Sequence, residues 1–380
     1  MNVLRARGIV TPDGVVDGWI RTDGDRIAEI GRGPAPTDLP VVDAGEGWLV
    51  PGFVDLHCHG GDGASLYSGT RDDVVRVAAG HLAAGTTSMF ASVATMPEES
   101  MLRAVDNIVD AVRSGDAPNI VGVHLEGPFL SPRRKGAQME SALRAPSAPT
   151  LERFLERMRG LPVLMTIAPE LAGATGLIST YADRVIFALG HSDATLEEGA
   201  AGIDAGARLV THAFNAMPPL DHRRPGLLGA ALTDPRVHIE LIADGHHLHD
   251  AVLAFAVAAV GPARGVLVTD ASPAAGLDDG DYEFADRVVT VADGRVTLRG
   301  TQTLAGSALR LATAHARMVR LGVSAEDAVA LSSTNAAALA GLADRGALEV
   351  GRRADIVALD ADRQVIAVLH GGRLQSAAAD

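Results

Sequence analysis

The chain has 380 residues, is 47% hydrophobic, and carries 33 Lys and Arg against 47 Asp and Glu, a formal net charge of -14. That length and apolar content allow a substantial core, in one large domain with an appendage or in two to three ordinary ones, and exclude a disordered chain. The acidic balance disfavours nucleic acid and anionic membrane as main partners, since both demand a basic surface. No apolar run reaches the roughly 18 to 20 residues that span a bilayer. The single cysteine, Cys58, excludes an intrachain disulfide. The first residues lack the basic start, apolar stretch and small-residue cleavage site of a secretory leader, so a cytoplasmic protein is expected.

Residues 1–47 read as short alternating strands turning at Asp13-Gly14 and Asp23-Gly24. Between about 48 and 270, apolar β-branched segments alternate with helical patterns. The expected strands are 49–56, 86–93, 120–125, 163–168, 185–189, 208–212, 238–242 and 265–269, and helices fit the gaps at 72–84, 98–113, 151–159, 195–205 and 249–260. Eight strands with helical crossovers predict an α/β fold, a (β/α)8 TIM barrel whose active site lies at the strands' C-terminal ends. Beyond the barrel strands, 288–298 predicts a hairpin turning at Asp293-Gly294, and two helices follow at 307–321 and 324–342. Residues 347–374 return to the texture of the N-terminus. The two ends are therefore expected to form one small β-sandwich domain, 1–50 with 345–380, around a catalytic barrel at 51–344.

The strand ends carry the chemistry. After strand one come His57 and His59, which strand alternation points to one side while Cys58 points to the other. Taken alone, such a pair reads equally well as two exposed loop histidines. After strand three, H-L-E-G-P supplies Glu126; after strand five, L-G-H-S supplies His191; after strand six, T-H-A-F-N-A-M supplies His212. Strand seven ends in A-D-G-H-H, with Asp244, His246 and His247, and strand eight in V-T-D-A-S, with Asp270. One such residue is ordinarily a cap or a satisfied polar group, but six strands ending this way define a site.

Imidazole nitrogens and carboxylate oxygens suit Zn2+, Fe2+, Co2+ or Mn2+, and a His2Glu set leaves an open position for water. Glu126, His191 and His212 form that set; His57 and His59 are placed to hold a second ion, and Asp270 is the remaining carboxylate. A metal lowers the pKa of its water, and an adjacent carboxylate can take the proton and hand it to a leaving amine, so hydrolysis is predicted. Two basic runs, Arg133-Arg134-Lys135 and His222-Arg223-Arg224, read as solvated surface or as contacts for an anionic substrate. His124 points with Glu126 and reads as packing or support, and His81 and His315 fall in helical patterns.

The ordered motifs P-G-F-V-D-L-H-C-H-G, H-L-E-G-P-F-L-S, G-H-S-D-A, T-H-A-F-N-A-M-P, A-D-G-H-H and V-T-D-A resemble the amidohydrolase superfamily over almost the whole chain. H-L-E-G-P-F together with H-A-F-N-A-M-P is similar to its deacetylases of phosphorylated amino sugars. The resemblance implies that Glu126, His191 and His212 bind the primary metal and that Asp270 is the acid and base; some members replace the H-x-H pair and work with one metal, and the pair retained here, His57 and His59, permits a second. It implies one or two divalent ions, Zn2+ foremost and Fe2+, Co2+ or Mn2+ otherwise. It implies sugar-phosphate contacts from Ala137, Gln138, Asn215, Ala216, Arg223, His247, Leu304, Ala305 and Gly306, with Arg223 contributed across a homodimer interface. The implied reaction is hydrolysis of the acetamide of N-acetyl-D-glucosamine 6-phosphate to glucosamine 6-phosphate and acetate, in amino-sugar catabolism and cell-wall recycling. N-acetylgalactosamine 6-phosphate or another N-acyl compound is the alternative substrate, and a non-catalytic binding barrel the remote alternative, against which no ligand or base is missing. Relatives with a carboxylated lysine bridge differ, because here Glu126 takes that place. Many members have K-G-A-H where this chain has K-G-A-Q, so Gln138 stands in for a histidine.

Overall fold

The computed structural model describes residues 2–36, 41–67, 69–284 and 287–375; residues 1, 37–40 and 376–380 of the expected terminal domain lie outside them. Eight parallel strands run in the order Phe53–Cys58, Thr86–Ala94, Ile120–Glu126, Val163–Ile167, Ile186–Leu189, Leu209–Val210, His238–Ile242 and Gly265–Val268. The last meets the first where Asp270 N donates to the His57 carbonyl (2.8 Å) and His59 N to the Ala271 carbonyl (2.9 Å). The (β/α)8 barrel thus closes at the rim that carries the histidines. Its strands are near-continuous apolar runs because both faces are covered, by barrel interior on one side and helices on the other. The helices carry their own signals. Thr70 with Asp73 and Thr195 with Glu198 form capping boxes at two of them. Glu98–Arg113 buries Met101, Leu102, Val105, Ile108 and Val109, one stripe at helical spacing.

The structure divides the expected first strand in two. Trp48–Pro51 pairs with Gly8-Ile9 and with Ile356–Leu359 in the terminal sheet, and only Phe53–Cys58 belongs to the barrel. Gly52 makes the passage, since a Cβ there would stand 2.0 Å from Thr87 Oγ1. Strand six is shorter than expected because the chain leaves it at Thr211 and enters a turn with His212 in left-handed backbone, φ 29°. Two further helices, Ala174–Tyr181 and Gly226–Thr233, fill crossovers that the sequence pattern left open. The final expected helix is interrupted by a π turn at Ala330–Thr334.

The termini meet in one eight-stranded sheet folded over its own core of Leu4, Ile9, Ile20, Ile27, Leu49, Ile356 and Leu369. Asn2 Nδ2 donates to the Gly372 carbonyl at 2.7 Å, tying the two ends of the chain together. The expected hairpin is present as Arg287–Ala292 and Arg295–Leu298, and Gly280–Phe284 adds a third strand to it. Asp293 and Gly294 turn with φ of 51° and 74°, the left-handed pair that a tight hairpin requires.

Candidate metal centre and substrate pocket

Three of the residues at the rim hold their side chains from strained backbone: His191 at φ 47°, His212 at 29° and Asp270 at 47°. Left-handed conformations of this kind cost roughly 1–3 kcal/mol each in non-glycine residues and persist only where surrounding structure enforces them. That enforcement is visible. The His191 carbonyl accepts from Ser131 N (2.9 Å), His212 N donates to Glu240 Oε2 (3.0 Å), and the Asp270 carbonyl accepts from Ser307 N (2.7 Å).

These turns deliver Glu126, His191 and His212 to one point. Glu126 Oε1 lies 3.0 Å from His191 Nε2 and 3.2 Å from His212 Nε2, and the two imidazole nitrogens are 3.1 Å apart. His191 Nδ1 donates to the Arg134 carbonyl at 2.8 Å, which fixes the tautomer and leaves the Nε2 lone pair facing Glu126 and His212. His57 and His59 stand beside them, their Nε2 atoms 3.0 Å apart and each 3.5 Å from Asp270 Oδ1. Glu126 stands between the two sets, presenting Oε1 to His191 and His212 and Oε2 to His59 at 3.2 Å.

The donor chemistry fits divalent cations at both sets. Burial pushes His57 down to about 4, so its ring is neutral near pH 7. Its Nδ1 lies 3.1 Å from Glu240 Oε2, an oxygen already accepting from His212 N, so the proton sits on Nδ1 and Nε2 is the free donor atom. Burial opposes charge on His59 and His191 as well, yet Glu126 beside them holds both above the ordinary imidazole value. Burial would likewise raise the Glu126 carboxyl, but His57, His191 and His212 hold it well below the carboxylate range. The protein atoms alone favour added positive charge here. A third group, Asp55, Cys58 and His81, is spatially close but committed elsewhere. His81 Nε2 donates to the Gly60 carbonyl (3.0 Å), and Asp55 accepts from Thr269 Oγ1 (2.6 Å) across the barrel seam.

Above this floor opens a cavity of about 370 Å³. Of the residues expected to contact the substrate, Ala137, Gln138, Asn215, Ala216, His247, Leu304 and Gly306 line it, and Ala305 is buried behind the wall. Arg223 does not line it; it stands on an exposed loop where its backbone N–H donates to Asp221 Oδ1 (2.9 Å). The other basic run is also absent. Arg133 and Arg134 both bind Asp193 (3.2 and 2.8 Å), and Lys135 pairs with Glu140 (3.2 Å). Gln138 is tied to the ligand set, its Nε2 donating to Glu126 Oε2 and its Oε1 accepting from Thr95 N at 2.7 Å. His124 supports from below, between Ser92 Oγ and Thr166 Oγ1 at 2.9 Å each and edge-on to the His57 ring.

Several site residues escaped the sequence reading. Glu240 is fully buried and braces both His57 and His212, with burial raising its carboxyl to about 7. Asp244, singled out at the end of strand seven but given no role, accepts from His247 Nδ1 at 2.7 Å, which leaves Nε2 free. Arg287 and Arg295, from the hairpin, line the cavity. An acid inside an apolar strand, as in H-I-E-L-I, was the available signal for Glu240, because a buried charge demands partners.

A closed parallel barrel with paired buried His and carboxylate sets at its C-terminal rim defines a metal-dependent hydrolase class, and the chain belongs to the amidohydrolase family, whose model matches residues 48–375. Among its relatives, N-acetylglucosamine-6-phosphate deacetylase of Bacillus subtilis is 33% identical, the alignment covering 98% of this chain and 96% of that one. N-acetylgalactosamine-6-phosphate deacetylase of Escherichia coli O157:H7 is also 33% identical, over 99% of each chain. Among solved structures, an Asp-to-Ala mutant of N-acetyl-D-glucosamine-6-phosphate deacetylase from Mycobacterium smegmatis, in complex with N-acetyl-D-glucosamine 6-phosphate, superposes with a TM-score of 0.93 at 37% identity and 98% coverage of both chains.

Proposed function

We propose that this chain hydrolyses the acetamide of N-acetyl-D-glucosamine 6-phosphate, releasing acetate and glucosamine 6-phosphate. The observation that carries the reading is Asp270, held by strained backbone beside two contiguous His and carboxylate sets at the floor of a sugar-sized cavity. Glu126, His191 and His212 would hold the primary divalent ion, with Zn2+ the first candidate, and His57, His59 and Asp270 a second, with Glu126 between them. When bound, such ions supply Lewis acidity toward the acetyl carbonyl and a lowered water pKa.

The remaining work falls to the chain's own side chains. Asp270 takes a proton from the water that attacks the acetyl carbon, then delivers it to the amine nitrogen as the C–N bond breaks. His247, oriented by Asp244, presents Nε2 to the sugar. Gln138 and Thr95 keep Glu126 from turning away from the histidines. Every residue given a role here falls within 51–344, in keeping with a division into a catalytic barrel and a terminal domain of 1–50 with 345–380. A homodimer that brings Arg223 to the partner's pocket belongs to the same proposal, and light scattering in solution checks it.

Acetate release measured on N-acetylglucosamine 6-phosphate, its 4-epimer and the unphosphorylated sugar tests the substrate. The glucosamine configuration should turn over fastest, and preference for the 4-epimer would transfer the assignment to N-acetylgalactosamine 6-phosphate. Asp270→Asn should lower kcat by roughly 10² to 10⁴. Near-normal acetate release by that variant would remove Asp270 from the proton path.

A further inference from the structure

Neither basic run supplies a cation to the pocket of its own chain; the hairpin does. Arg295 stands one residue past the hairpin turn, and Gly294 of that turn lies beside the loop of His246 and His247, a Cβ there being 3.7 Å from His246 Nε2. Thr297 bridges to Leu304, so the strand bearing Arg295 runs along the segment that forms the cavity's other lip. The Arg295 guanidinium donates from Nη1 to Gln302 Oε1 at 3.2 Å, and Gln302 also lines the cavity. A neutral amide orients the guanidinium without cancelling its charge. Among the described residues no carboxylate pairs with Arg295, although most arginines of this acidic chain have found one. The acids that line the cavity, Glu126 and Asp270, are engaged at its floor with the histidines.

The substrate's shape gives this placement a use. With the acetamide over Asp270, the sugar ring holds the 6-phosphate several bonds away, so the anion must be met near the cavity's mouth. A guanidinium matches a phosphate through parallel charge-assisted hydrogen bonds. We propose that Arg295, oriented by Gln302, is a specificity-determining contact for the phosphate, supplied by the same chain that carries the catalytic residues. Arg287 is its positioning partner, because its Nη1 donates to the Ala137 carbonyl at 3.2 Å and so ties the hairpin to the loop bearing Gln138. The inference rests on the reading of the substrate as an amino-sugar phosphate.

The test compares kcat and KM for acetate release from N-acetylglucosamine 6-phosphate and from unphosphorylated N-acetylglucosamine, in wild type, Arg295→Gln and Arg295→Lys. Bound metal and thermal midpoint serve as controls for folding. Arg295→Gln should raise KM for the phosphorylated sugar roughly ten- to hundredfold, the worth of a charged hydrogen bond. Its kcat should change little and its turnover of the plain sugar should fall far less than that of the phosphorylated one, while Arg295→Lys should recover part of the loss. Competition by inorganic phosphate should weaken in parallel, a readout that a merely structural role would not move. An unchanged preference for the phosphorylated sugar in Arg295→Gln, with wild type active, overturns the role of Arg295 and leaves the deacetylase reading standing. A wild-type protein that releases no acetate from the sugar phosphate overturns both.

Discussion

His191 and His212 reach the pocket from left-handed residues on turns that follow short strands, whereas His57 sits near the end of a fully buried strand and His59 just past it, neither left-handed. The first pair is distorted into place and held there by Ser131 and Glu240; the second falls on one side of the chain through the two-residue period of a strand. Glu126 touches both. The difference teaches where the fold has invested backbone strain: at His191 and His212 in one set and at Asp270 in the other, while neither His57 nor His59 is left-handed. In our proposal Glu126, His191 and His212 carry the primary ion, and His57 and His59 take a supporting position.

The comparison can be broken most severely at its shared member. Glu126→Gln removes a charge from both sets, and metal analysis should show both ions lost and acetate release at background. If one full equivalent of metal remains, Glu126 does not stand between the two. A sharper contrast comes from His57→Ala combined with His59→Ala. Because the set of Glu126, His191 and His212 remains, one ion should stay bound, and activity should fall by roughly 10- to 100-fold, the scale of a supporting contact to a metal site. Complete loss of metal in that double variant would reverse the ranking of the two sets.

The smallest effect lies away from both sets. Burial lowers His315 to about 4, so the folded protein keeps it neutral while the unfolded chain protonates it near its ordinary 6.5. Its contribution to stability is whole above about pH 6.5 and is lost as pH falls toward 4. Between pH 7.5 and 5 the thermal midpoint of wild type should fall further than that of His315→Gln, by roughly 2 °C. Equal slopes in calorimetric scans would show that His315 protonates without penalty.

The parts legible in the sequence were those with short-range periodicity. Strand ends repeat at a regular pace, so His57, His59, Glu126, His191, His212 and Asp270 could be collected at one rim before any coordinates were known. The passage at Gly52 was hidden because the residues on both sides of it are equally apolar, and only pairing with Ile356–Leu359 separates them. The run Arg133 to Lys135 stayed open between surface charge and an anion contact because its partners, Asp193 and Glu140, become neighbours only in the fold. Arg287 and Arg295 carried no signal at all: each is a lone arginine in an alternating hairpin, and its meaning comes from where that hairpin folds. Gln138 was read as a substrate contact, while the structure ties its amide to Glu126 and Thr95.

Acetate release from N-acetylglucosamine 6-phosphate by chelator-stripped protein, followed as Zn2+ is added back, tests the central claim most directly. The stripped protein should be inactive and most of the activity should return with the first equivalent, as the set of Glu126, His191 and His212 fills. Full turnover by stripped protein, with metal content verified as negligible, would contradict it.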